Sequence, residues 1–321
     1  MQAGVVRGRP HLVLLVVLVV AAAIAQPWAT QWLDQPLVRN WATVFIAIAV
    51  QAMPFLVLGV VISGALAAFL PPAALAALLP RSPYAAVPIA ALAGAALPGC
   101  ECGSVPIARR LIARGAPPAA ALTFLLSAPA INPVVLVATA VAFPGRPMMV
   151  LARALSSLLA AIVVGLVWAA RGRDDLVDVA RDEDELGTSR IMTFVLTAQH
   201  DFLHAGGFLV VGAAGAATLQ TIVPRHVVGR LAGAGALSVL ALAGLAVLLA
   251  ICSEADAFVA ASLTQFSLVA RLAFLTVGPM VDVKLIALQI GTFGRAFTLR
   301  FAPLAFVAAI GSSALIGWWL L

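Results

Sequence analysis

Long apolar runs, each closed by a short polar or basic stretch, organise this chain. They cover Trp41–Leu70, Ala85–Arg114, Pro117–Phe143, Pro147–Ala170, Ile191–Val223, Leu231–Leu263, Phe266–Ile290 and Ala296–Leu321. Roughly 20 mostly apolar residues are enough to cross the hydrocarbon of a bilayer as a helix. A shorter run, His11–Ala25, follows Arg7 and Arg9. It predicts a first retained helix, although a basic start, an apolar middle and a small-residue end are also the shape of a signal peptide. The expected fold is an all-α polytopic membrane protein. Its predicted units are an N-terminal helix and loop (1–40), a membrane repeat (41–170), a charged linker (171–190) and a second membrane repeat (191–321).

The two membrane units are related in sequence. Cys102, Phe124-Leu125, Pro129 and Asn132 correspond to Cys252, Phe274-Leu275, Pro279 and Asp282, each pair 150 residues apart. Leu92-Ala93-Gly94 maps to Leu242-Ala243-Gly244 with the same offset, and Phe55 and Gly59 map to Phe208 and Gly212 with an offset of 153. Two four-helix repeats follow from this, with an extra helix in front. Four is even, so the repeats are expected to run parallel. Interrupted helices at matching positions of two repeats point to a substrate site where the repeats meet.

The interruptions are local. Pro98-Gly99-Cys100-Glu101-Cys102-Gly103-Ser104-Val105-Pro106 holds two glycines and two prolines in nine residues. Such a stretch frees backbone groups that a lipid environment leaves unsatisfied. Pro129 and Pro133 flank Asn132 in the same way, and Gly278-Pro279 precedes Asp282 and Lys284. Helix breaks are therefore expected at Pro98, Gly99, Gly103, Pro106, Pro129, Pro133, Gly278 and Pro279.

Composition narrows the class. The chain of 321 residues is 63% apolar and 10% charged, with mean hydropathy +1.11. A soluble domain has about half apolar and a quarter charged residues. The net charge of +6 comes from basic residues scattered among loops, which speaks against nucleic-acid binding. Seven of the 13 acidic residues fall between Asp174 and Glu185. Glu101, Glu254, Asp256 and Asp282 instead lie in apolar surroundings, and intramembrane ionisable groups are functional by default. Three cysteines, an odd number, do not form a disulfide framework.

The chemistry that these residues offer is soft coordination joined to charge. Cys100 and Cys102, with Cys252 from the other repeat, supply thiolates suited to thiophilic centres. Bound trivalent arsenic prefers three sulfurs. Glu101 and Asn132 complete the expected substrate site. Glu254, Asp256, Asp282 and Lys284 are the candidates for ion coupling, with Asp282 and Lys284 close enough to pair. The bland alternatives are a packing kink at the first break, a small buried hydrophobe at Cys252 and a snorkelling Lys284. His200 and His204 are one helical turn apart, a weak metal signal without a third ligand.

Around these motifs the chain resembles the ArsP-type permease family, predicted permeases that include organoarsenical efflux proteins. The resemblance runs from about Trp41 to the C-terminus. It rests on Pro98-Gly99-Cys100-Glu101-Cys102-Gly103-Ser104-Val105-Pro106, the segment Phe124–Pro133, Glu254-Ala255-Asp256-Ala257-Phe258 and the segment Phe274–Asp282. It implies a multi-span permease of the cell (inner) membrane, some relatives exporting trivalent methylated or aromatic arsenicals. No Gly-x-x-x-x-Gly-Lys-Ser/Thr motif is present, so export is expected to draw on an ion gradient or on a separate partner subunit. No cofactor and no enzymatic activity are expected. The rival readings are a soft or divalent metal-ion permease and a membrane thiol oxidoreductase.

Overall fold

The computed structural model describes residues 35–71, 80, 82–96, 100–171, 176–177, 189–222 and 235–321. The expected first helix, Pro98, Gly99 and most of the charged linker lie outside them. The described residues are helical and contain no strand. Each half begins with a long helix, α1 (Pro36–Phe69) and α7 (Arg190–Ile222). Among the described residues, four short helices follow in each half. In the first half these are α2 (Pro83–Ala93, extended by a 3₁₀ turn at Gly94–Ala96), α3 (Glu101–Ala113), α4 (Pro118–Ile131) and α5 (Pro133–Ala142). In the second they are α8 (Ala236–Leu249), α9 (Asp256–Ser262), α10 (Leu268–Val277) and α11 (Val283–Phe293). A second long helix closes each half, α6 (Pro147–Arg171) and α12 (Arg295–Leu320).

Among the described residues, five stretches are long and apolar enough to cross a membrane: α1, α4 with α5, α6, α7 and α12. The other expected spans are built as pairs of shorter helices. Outer positions on α1, such as Ile46, Val50, Val57 and Val61, are exposed apolar side chains, and Trp318 and Trp319 are exposed at the end of α12. Apolar side chains stay outward because lipid, unlike water, does not drive them inward.

The long helices pair across the halves, and they run antiparallel. Near one end of the α1–α7 pair, Trp41 Nε1 donates to Thr218 Oγ1 at 3.0 Å; near the other, Ser63 Oγ donates to Asp201 Oδ2 at 2.6 Å. Trp168, late in α6, packs against Phe297 and Phe301, early in α12. The parallel relation expected from span parity is therefore not what the long helices adopt.

Three expected breaks also move. Gly103 and Pro106 lie inside α3, and Pro129 lies inside α4. Pro106 costs α3 only the hydrogen bond to the Cys102 carbonyl, one turn back. Gly103 serves a close approach instead. A Cβ at Gly59 would come 2.5 Å from Gly103 Cα, so α1 and α3 meet backbone to backbone. Among the described residues, interruptions fall at Cys100 before α3, at Asn132, at 250–255 and at 278–282, where Pro133 opens α5 and Gly278 caps α10.

Candidate functional site

Asn132 and Asp282 do the same local work in the two halves. Each side chain accepts the backbone N–H three residues on, Val135 N at 3.0 Å and Leu285 N at 2.6 Å, and so starts the next helix. An N-cap of this kind satisfies one of the orphan donors of a helix start. Asn132 also donates through Nδ2 to the Ala128 carbonyl at 3.0 Å, closing the end of α4.

The short helices cross between halves. α3 packs against α11 of the other half, and α9 against α5. At the first of these contacts, Lys284 at the start of α11 is fully buried. Its Nζ lies 2.6 Å from Glu101 Oε1 and 3.5 Å from Asp282 Oδ2. It also donates to the Ala250 carbonyl at 2.8 Å and lies 3.7 Å from Cys252 Sγ. The local Asp282–Lys284 pair is thus present, but its closer carboxylate comes from the opposite half.

Around that ammonium the three cysteines converge. All are free and buried. Cys100, the N-cap of α3, and Cys102 flank Glu101, which pairs with Lys284, while Cys252 Sγ lies 3.7 Å from the same Nζ. The Cys100-Glu101-Cys102 stretch and Cys252, 150 residues past Cys102, are therefore both tied to Lys284. A narrow apolar cleft between α1, α3 and α4, lined by Phe55, Gly59, Ile107 and Phe124, reaches Cys100. Among the described residues no three His, Cys, Asp or Glu side chains are disposed to hold a metal ion. The three thiols are close, but they are not arranged as a preformed metal cage.

At the second cross-half contact stands a residue that motif reading passed over. Arg153, in the second turn of α6, is fully buried. It donates to Thr139 Oγ1 of α5 at 2.8 Å, to the Ser253 carbonyl at 3.0 Å and to Asp256 Oδ2 at 2.9 Å. A charged residue inside the apolar run Pro147–Ala170 was the available signal. Nearby, Ser156 of α6 and Thr276 of α10 share a hydrogen bond of 3.0 Å. Asp256 opens α9 and is committed to Arg153. Glu254 stands in the non-helical stretch between Cys252 and Asp256, and neither of its carboxylate oxygens has a hydrogen-bond partner.

The histidines do not join this cluster. His200 and His204 stack, with His200 largely exposed and His204 against the Gly291 carbonyl. Their neighbour Asp201 is the buried group. It pairs with Arg110 at 3.3 Å and with Arg109 at 3.4 Å, tying the end of α3 to α7.

A family model described as a predicted permease, ArsP_1, matches residues 37–317. The chain belongs to this predicted permease family. A UPF0718 protein, YcgR, of Bacillus subtilis (strain 168) is 34% identical over 284 residues, covering 85% of this chain and 96% of that protein. A protein of Streptococcus mutans serotype c (strain ATCC 700610 / UA159) is 30% identical over 281 residues, covering 85% and 91%. The latter bears the name of a two-component membrane permease complex subunit. No solved structure matches the chain significantly. Family and apolar helices together make the permease a multi-pass membrane protein and a transporter rather than an enzyme.

Proposed function

We propose that this permease exports a small thiophilic solute, of which trivalent organoarsenicals are the model, through a site between its two halves. The carrying observation is that Lys284 pairs with Glu101, which Cys100 and Cys102 flank, and lies 3.7 Å from Cys252 Sγ, so that thiols of both halves border one buried ion pair. Sulfur donors are the soft ligands such a solute needs, and Lys284, within 3.7 Å of Cys252 Sγ, places a charged donor at the edge of the site. Asn132 and Asp282 shape the two breaks that border the site.

The halves are read as two inverted repeats. The 150-residue offsets, the shared order of long and short helices, and the antiparallel α1–α7 and α6–α12 pairs favour this arrangement. Inverted repeats with interrupted helices are a recurrent plan of secondary transporters. Glu254, Asp256, Asp282 and Lys284 are the groups proposed to couple transport to an ion. The name borne by the Streptococcus mutans relative supports a second subunit as a further source of drive or control.

The test is binding by purified protein in detergent, followed by thermal shift with methylarsenite, arsenite, zinc and copper(I). Wild type and Cys100→Ser/Cys102→Ser are compared. Stabilisation by a trivalent arsenical that the double variant loses supports the reading. Stabilisation by zinc or copper(I) alone turns it into a metal-ion permease, and no response to any of the four refutes a thiol site.

A further inference from the structure

The two halves hold their cysteines by different means. Cys102 belongs to a helix, α3, and Cys100 caps it. Cys252 lies in an unwound stretch, 250–255, between α8 and α9. Non-helical backbone at membrane depth survives only where protein or water satisfies it. Here two buried cations do so, one at each end. Lys284 holds the Ala250 carbonyl, and Arg153 holds the Ser253 carbonyl and Asp256. Within the stretch, the Cys252 carbonyl receives backbone bonds from Ala255 and Asp256, and the Ala255 carbonyl from Phe258 and Val259, whereas the Ala250 and Ser253 carbonyls receive theirs from the two cations. Ala250 has a φ of 48°, the one positive φ outside glycine among the described residues, so the stretch starts from a backbone conformation that an L-residue rarely adopts.

We propose that Arg153 is a positioning residue of the solute site: by gripping Ser253 and Asp256 it holds Cys252 against Cys100. The inference rests on the reading of the three thiols as the solute site. The geometry gives Arg153 reach that few residues have. Its guanidinium forks between α5, through Thr139, and the stretch that carries Cys252. A planar fork makes several fixed bonds at once, which a lysine ammonium on the same stem cannot fully copy. Since Lys284 keeps hold of Ala250, loss of Arg153 frees the Asp256 end of the stretch while the other end stays anchored. Cys252 sits one residue before Ser253 and four before Asp256, on the part that is released.

The experiment measures thiol proximity, which needs no transported solute. Dibromobimane fluoresces when it bridges two thiols. In a Cys102→Ser background it reports Cys100 with Cys252; in a Cys252→Ser background it reports Cys100 with Cys102. Arg153→Met is expected to slow the Cys100–Cys252 bridge by about tenfold, equivalent to about 1.4 kcal/mol of lost positioning. The Cys100–Cys102 bridge should keep its wild-type rate, and Arg153→Lys should restore part of the loss. If Arg153→Met does not purify as a monodisperse protein, Asp256→Asn provides the same comparison. Unchanged Cys100–Cys252 bridging overturns the proposal, and so does an equal loss at both pairs, which would mark a general loosening. Neither result depends on arsenical binding, so failure here is distinguishable from failure of the proposed function.

Discussion

Replacing Lys284 by methionine tests whether the two halves are joined by charge. The substitution keeps most of the side-chain volume and removes the ammonium. It strands Glu101, which is fully buried and 2.6 Å from Nζ, together with Asp282 and the Ala250 carbonyl. At that distance opposite charges attract by about 6 kcal/mol at an effective dielectric of ~20, a ceiling before desolvation is subtracted. Removing one partner of a buried pair costs roughly 3–5 kcal/mol, because the other charge is left uncompensated. Lys284→Met alone should therefore destabilise the protein by about 3 kcal/mol or more. Glu101→Gln keeps the shape and removes the stranded charge. Added to Lys284→Met, it should recover part of that loss. The assay is a double-mutant cycle on reversible unfolding in mixed micelles, titrated with a denaturing detergent. A coupling energy above about 1.5 kcal/mol is expected. Additive losses, within about 0.5 kcal/mol, would refute a direct bond between Glu101 and Lys284 and with it this account of how α3 and α11 are held.

Three further outcomes follow from the packing. Gly59→Ala drives a methyl into the Gly103 backbone and should cost about 1–3 kcal/mol, whereas Gly244→Ala, with nothing within 4 Å, should be neutral or slightly stabilising; thermal unfolding in detergent separates them. Asn132→Ala should lose a cap worth about 1 kcal/mol. Asp282→Ala should lose more, because Asp282 also faces Lys284, and the same melting curves give the order. Asp201→Ala removes the acceptor shared by Ser63 and Arg110 and should cost about 1–3 kcal/mol, with Ser63→Ala costing less; limited proteolysis near Arg114 provides an independent check that the end of α3 has come loose from α7.

Much of the architecture was legible along the chain. Apolar runs set the helices to within a few residues, because in lipid every backbone group must be paired within its own segment and length alone decides what can span. Asn132 and Asp282 could be matched by their offset because each does local work, a cap on the next three residues, that needs no distant partner. Gly103, Pro106 and Pro129 were misread as breaks, because whether a helix tolerates glycine or proline depends on what lies against it. Gly103 is there for Gly59, 44 positions earlier. Arg153 shows the same limit from the other side. A lone arginine in an apolar run is visible, but its meaning comes from Thr139, Ser253 and Asp256, which only the fold brings to it. Sequence by itself determined that this chain is an all-helical, multi-pass membrane protein whose helices are interrupted. The tertiary structure decided that the matching long helices run antiparallel and that Glu101 meets Lys284 across the halves, since pairing of buried charges is a matter of distance in space and carries no signature in spacing.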